Sequence, residues 1–462
     1  MPGYADWEQL YKDEYDQLIH EGYLLKGAII PEENAEELLP LPNQENVQIT
    51  TEKEQFWENA YTKLWKTAVE NGIRKDYRYE EPEILEEILS KGVNCPPMRP
   101  LKNEAYRKRL EGSILGRCVG IVLGKPLEMG LDRIQIRKYL ESTEQYPLQD
   151  YVKGYSEKLK MELRKDCIPS TFGNVCYVQP DDDIHYTILS VLLVEKYGLD
   201  FTGEDIGNLW LDNIPYHWLW CSSRQAYYHF VNLKETDREE EIRKIPKLIN
   251  PWRECIDGQI RSDLWGYLFP AEPEKAARIA YRDCSFSLVK NGVYGGMFIA
   301  GCIAAAFTEK PEVITILEGG LSVIPQGSRL AEAVEKVIGW YKAEPGNWMA
   351  ICDKIYEDYG KLPFAATINN LAIVTLSLLH GNLDYTKTIT TAVMCGIDTD
   401  CNAGTAGSIV GAAIGTEGID EKWIKPLNNS IHSAVASFGE GRISGLTARI
   451  EKLHDKYAGI RP

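Results

Sequence analysis

The chain has 462 residues and a net charge of −17, with 44% hydrophobic and 26% charged residues. That balance is globular and excludes disorder, collagen and coiled coil as descriptions of the whole chain. The negative charge argues against a nucleic-acid backbone binder, which needs a basic surface, and suits a soluble protein with an acidic site for cations.

The first hundred residues carry −11 of the −17. The acidic opening MPGYADWEQLYKDEYDQL has no apolar stretch, so no secretory leader is expected and a cytoplasmic protein fits. Apolar spacing predicts helices over residues 7–20, 55–71 and 81–91, with Pro31, Pro40 and Pro42 between the first two. Pro96, Pro97 and Pro100 then mark a boundary. Residues 1–100 are therefore expected to form an acidic helical accessory segment, whose partner the sequence does not name, and residues 101–462 the main domain.

From residue 101 onward the pattern is helical, and the expected fold class is all-α. Apolar residues recur at three- and four-residue spacings over 184–197, 296–307, 330–341, 371–379 and 403–414. Residues 130–180 are irregular and polar, and 174–178 is the best strand candidate. The uncharged windows 291–308 and 362–383 hold glycines, asparagines, Pro363 and His380, so buried helices are expected rather than membrane spans. Eleven cysteines without a C-x2-C pair suggest reduced thiols in the core rather than a zinc ribbon.

Four motifs carry the chemistry. Gly112, Gly116, Gly120 and Gly124 line one side of a helix and invite close packing, and Glu128 follows Pro126 just past its end. Asp181, Asp182 and Asp183 open the next apolar helix. Three adjacent carboxylates repel one another, so either solvent and the helix dipole relieve them or a divalent cation such as Mg2+ or Ca2+ lies among them. Asp398 and Asp400, beside Cys401, open a second uncharged, small-residue helix in the same way. Two such clusters could meet around a metal pair. Finally, Lys290-Asn291-Gly292-Val293-Tyr294-Gly295 suits either a backbone-lined anion or sugar pocket or a plain helix entry.

Taken in this order, the glycine helix ending in Glu128, the Asp run, the NG-x-YG entry and the DTD helix over roughly residues 101–455 resemble the ADP-ribosylglycohydrolase family. The resemblance implies an all-α globule whose cleft holds two Mg2+ ions between an early acidic pair and a late D-x-D. It implies cleavage of the glycosidic bond at ribose C1 of an ADP-ribosylated or nucleotide-sugar substrate, with neither nucleic acid nor membrane as partner. The early pair falls on Asp181 and Asp182 or, one residue on, on Asp182 and Asp183; the late pair falls on Asp398 and Asp400. Glu128 and Asp182 would be catalytic. Asn291, Gly292, Tyr294 and Gly295 would wrap the diphosphate and ribose, with Gln259, Arg261, Asn369 and Asn370 as further ligand contacts. Four residues depart from the family pattern: Pro180 and Cys401 where Thr is common, Ile121 for Asp and Lys290 for His. A thiol is a poor Mg2+ ligand, so Cys401 puts one metal site in question. An N-glycosidase on nucleosides or small ribosylated metabolites, and a catalytically silent binding protein, are the alternatives.

Overall fold

The computed structural model describes residues 5–31, 46–233 and 237–458, and the backbone alone for 46–51. It is all-α: apart from two antiparallel pairs of very short strands, Tyr155–Ser156 with Met161–Glu162 and Ser430–His432 with Glu440–Arg442, its elements are helices. The five expected helices of the main domain appear as Asp182–Tyr197, Lys290–Ala306, Arg329–Ala343, Thr367–Gly381 and Thr399–Ile414. Among the described residues no helix is long and apolar enough to cross a membrane. All eleven cysteines are free thiols.

Boundaries differ where local chemistry competes with apolar spacing. The second helix begins at Asn46 rather than 55, because no Gly or Pro interrupts the polar run before Phe56. The third is only Leu85–Ser90, because Glu81 and Pro82 lie in an extended stretch docked on the main domain. The 174–178 strand reduces to one bridge between Val178 and Ile431. Pro40 and Pro42 lie outside the described residues.

The contact that positions the site is between the glycine helix, Asn103–Gly124, and the late helix, Thr399–Ile414. Their backbones touch: a β-carbon at Gly120 would overlap the Ala403 carbonyl, and one at Gly116 the Gly407 carbonyl. Ser113 ties the pair further, donating to the Ser408 carbonyl at 2.7 Å, and Tyr385, from the helix Tyr385–Cys395, donates to the Gly116 carbonyl at 2.8 Å. Glycines at four-residue spacing thus hold two helix axes at a separation that larger side chains would forbid.

The N-terminal helices Trp7–His20 and Asn46–Asn71 have a core of their own, built on Leu10, Tyr11, Leu18, Trp57, Tyr61 and Leu64, which abuts Ile249 and Trp252. Their seam with the main domain is a buried ion network. Arg253 pairs with Glu14 at 2.8 Å and Glu21 at 2.6 Å, and Lys290 reaches Glu21 at 2.6 Å. Arg329 pairs with Glu81 and Glu254, each at 2.7 Å.

Candidate metal centre

The two acidic clusters meet. Asp181 caps the helix Asp182–Tyr197, its Oδ1 accepting the Asp183 amide at 3.1 Å, and Asp398 occupies the same position on the late helix. Because the late helix lies so close along the glycine helix, its first turn reaches the Asp run. The Cys401 thiol donates to Asp183 Oδ2 at 2.9 Å, and Thr399 anchors the turn by donating to the Gly124 carbonyl at 2.8 Å. Asp398, Asp400 and Cys401 hold ligand atoms within 4.8 Å of one another, as do Asp181, Asp182 and Asp183. Asp182 and Glu128 are half-buried, so the centre faces solvent on their side, whereas Asp181, Asp183, Asp398 and Asp400 are buried.

Electrostatics show carboxylates in excess. Burial, then the neighbouring carboxylates, push Asp182 and Asp398 well above the usual range, and Asp183 likewise despite Arg117. Asp400 is pushed up to about 6 by burial and Asp181, against the pull of Lys125. Burial and the charges of Asp400 and Asp181 push Glu128 up to about 9. Oδ1 of Asp398 and Oδ1 of Asp400 are buried without a hydrogen-bond partner. Unpartnered buried carboxylate oxygens are costly, and a divalent cation among these hard oxygen donors would relieve them. The residues therefore fit such an ion.

The remaining expected site residues divide. Asn370 holds the start of the late helix, its Oδ1 accepting from Asn402 Nδ2 at 2.7 Å and the Asp398 amide at 3.4 Å. Gln259 donates to Thr405 Oγ1 at 3.1 Å and Asn402 Oδ1 at 3.3 Å, beside the same turn. Asn369 is one step removed, its Oδ1 accepting the Asn370 amide at 2.9 Å. Arg261 is instead consumed in the core, paired with Asp283 at 2.6 Å and with Ser287 Oγ at 2.7 Å.

The NG-x-YG entry begins the helix Lys290–Ala306, but its polar groups meet the N-terminal segment. Asn291 donates to Glu81 and Glu254, each at 2.8 Å, and the Tyr294 hydroxyl donates to the Pro82 carbonyl. Gly292 packs on the Arg253 and Glu254 backbone, and Gly295 on Thr367. The pocket expected at this entry is thus filled by the chain's own carboxylates, because Glu81 and Glu254 satisfy the donors that a ligand would have met. His185, in the helix that the Asp run opens, is packed and accepts the Ala434 amide at 3.0 Å through Nε2.

Lys125 and Arg117, cations largely buried at the centre, escaped the sequence reading. Lys125 pairs with Asp181, and Arg117 pairs with Asp263 at 2.8 Å and Asp183 at 3.3 Å. Each carried a signal: Arg117 is the one charge between Gly112 and Gly124, and Lys125 stands just past that apolar run, three residues before Glu128.

An all-helical globule with a converging carboxylate centre is the class that fold and site define. Residues 102–458 match the model of the ADP-ribosylglycohydrolase family, and the chain belongs to that family. Membership supports a glycosyl hydrolase. Among solved structures, one described as an ADP-ribosylglycohydrolase-related protein complex aligns with a TM-score of 0.49 at 14% identity, over 76% of this chain and 99% of that one. No curated protein matches.

Proposed function

We propose that the chain is a metal-dependent glycoside hydrolase that cleaves the C1 bond of a ribose in an ADP-ribosylated or otherwise ribosylated substrate. The observation that carries this reading is the convergence of Asp182 with Asp398 and Asp400, the latter two with buried, unpartnered oxygens. Asp182, Asp398 and Asp400 would hold a divalent cation, Mg2+ being the natural match to carboxylate oxygens. Such an ion supplies a Lewis-acid grip on the ribose hydroxyls and lowers the pKa of water. Glu128, half-buried on the solvent side, moves the proton: it protonates the departing group or deprotonates the attacking water. Asn370 and Gln259 keep the Asp398–Asp400 turn in place through Asn402. The test is hydrolysis of ADP-ribosyl-arginine, ADP-ribosyl-serine and free nucleosides with and without EDTA. Turnover that EDTA does not touch would remove the reading.

A second reading changes the substrate only. With Asn291 and Tyr294 committed to Glu81, Glu254 and Pro82, the entry expected to wrap a diphosphate offers it few donors. That favours an N-glycosidase acting on ribosides without a diphosphate. Faster turnover of nucleosides than of ADP-ribosyl substrates is its signature.

A further inference from the structure

The family resemblance leads one to expect two cations, yet the donors of this centre are unevenly spent. Both oxygens of Asp181 are engaged, Oδ1 by the Asp183 amide at 3.1 Å and Oδ2 by the Lys125 ammonium. Both oxygens of Asp183 are engaged as well, Oδ1 by Arg117 at 3.3 Å and Oδ2 by the Cys401 thiol at 2.9 Å. A thiol that donates a hydrogen bond is protonated and is not a ligand for a hard cation. The buried oxygens left without a partner are Oδ1 of Asp398 and Oδ1 of Asp400, and the Asp400 charge acts on half-buried Asp182.

Lys125 is placed to do this by the fold. It follows the last glycine of the stripe, and Gly124 is packed against Thr399 and Asp400, so the lysine emerges between the two acidic clusters. Its side chain is largely buried, with 12% exposure against 1% for its partner Asp181. An ammonium there supplies a fixed positive charge and three hydrogen-bond donors, without the coordination sites of a metal ion.

We propose that Lys125 is a resident cation standing in for one of the two expected divalent ions, so that the centre holds a single ion, on Asp182, Asp398 and Asp400. This rests on the metal-dependent reading above.

The experiment is calorimetric titration of the metal-free full chain with Mn2+, with electron paramagnetic resonance on the loaded protein. The expected result is one ion per chain, with the hyperfine pattern of an isolated Mn2+. Lys125→Met should admit a second ion and give the pattern of an exchange-coupled pair. Asp181→Asn, which keeps a helix-capping oxygen, should still bind one ion, whereas Asp398→Asn should bind none. Two coupled ions in the unaltered chain would overturn the inference and leave the hydrolase reading standing. A folded Lys125→Met variant that still takes a single ion would overturn the role of Lys125. An unaltered chain that takes no ion would overturn both readings.

Discussion

Two buried clusters of charge in this molecule are built to opposite rules. In the seam between the N-terminal segment and the main domain, Glu14, Glu21, Glu81 and Glu254 face Arg253, Lys290 and Arg329. Neutral donors satisfy further lone pairs: Tyr61 bonds Glu14 at 2.8 Å, and Gln17 bonds Glu254 at 2.7 Å. Burial alone would raise Glu21, but Arg253 and Lys290 overcome it and hold its carboxyl below the usual range. Burial works the same way on Glu81, where Arg329 prevails. In the acidic centre six carboxyls face Lys125, an Arg117 shared with Asp263 and, at Glu128, Arg164 at 3.8 Å, and most are driven upward. Paired buried charge holds the segments together, whereas the carboxylates in excess mark a candidate cation site.

The largest expected effect separates function from stability. Asp398→Asn should lower turnover by roughly 100-fold or more. In metal-free buffer the same change should raise the thermal midpoint, since it removes a buried carboxyl that its neighbours repel. Equal loss of activity and midpoint would contradict this contrast. In the seam the opposite holds. Arg253→Met leaves Glu14 and Glu21 buried without their guanidinium and should cost about 3–5 kcal/mol in urea unfolding.

A smaller effect tests how the centre is held. Gly120→Ala forces the glycine helix off the Ala403 carbonyl and should cost about 1–3 kcal/mol. Because the late helix carries Asp398 and Asp400, the same variant should weaken metal binding, measured by titration with Mn2+. The smallest effect is in pH. Glu21 and Glu81 are depressed, so their contribution is present above the ordinary value of 4.5 and is lost as pH falls through their folded values. Asp400 is raised from 3.8 to about 6, so its contribution is present below 3.8 and is lost as pH rises through 6. Glu128 is raised from 4.5 to about 9 and loses its contribution over that span, so metal-free protein should lose stability from the centre between about pH 4 and 9, and saturating Mg2+ should restore it. Urea midpoints across that range, with and without Mg2+, check the sign.

Much of the site was legible because its signals are local. A glycine every four residues reports a close helix pair, and carboxylates opening apolar helices report charge that burial would not otherwise tolerate. What the sequence could not show was partner choice. Arg261 looks like a ligand-binding arginine until Asp283 is found against it, and Asn291 looks like a pocket residue until Glu81 and Glu254 arrive from afar in the chain. Lys125 was overlooked for the converse reason: a lysine near a turn reads as solvated unless the burial of Asp181 is known. Periodicity also failed at residues 46–54, where the helix is polar and only the lack of a breaker marks it.

Thermal unfolding of the metal-free chain against increasing Mg2+ or Mn2+, with Asp398→Asn in parallel, tests the cation centre most directly. The midpoint should climb with ion concentration in the unaltered chain and stay flat in the variant. An unaltered chain whose midpoint ignores both ions would show that these carboxylates, though gathered, hold no metal.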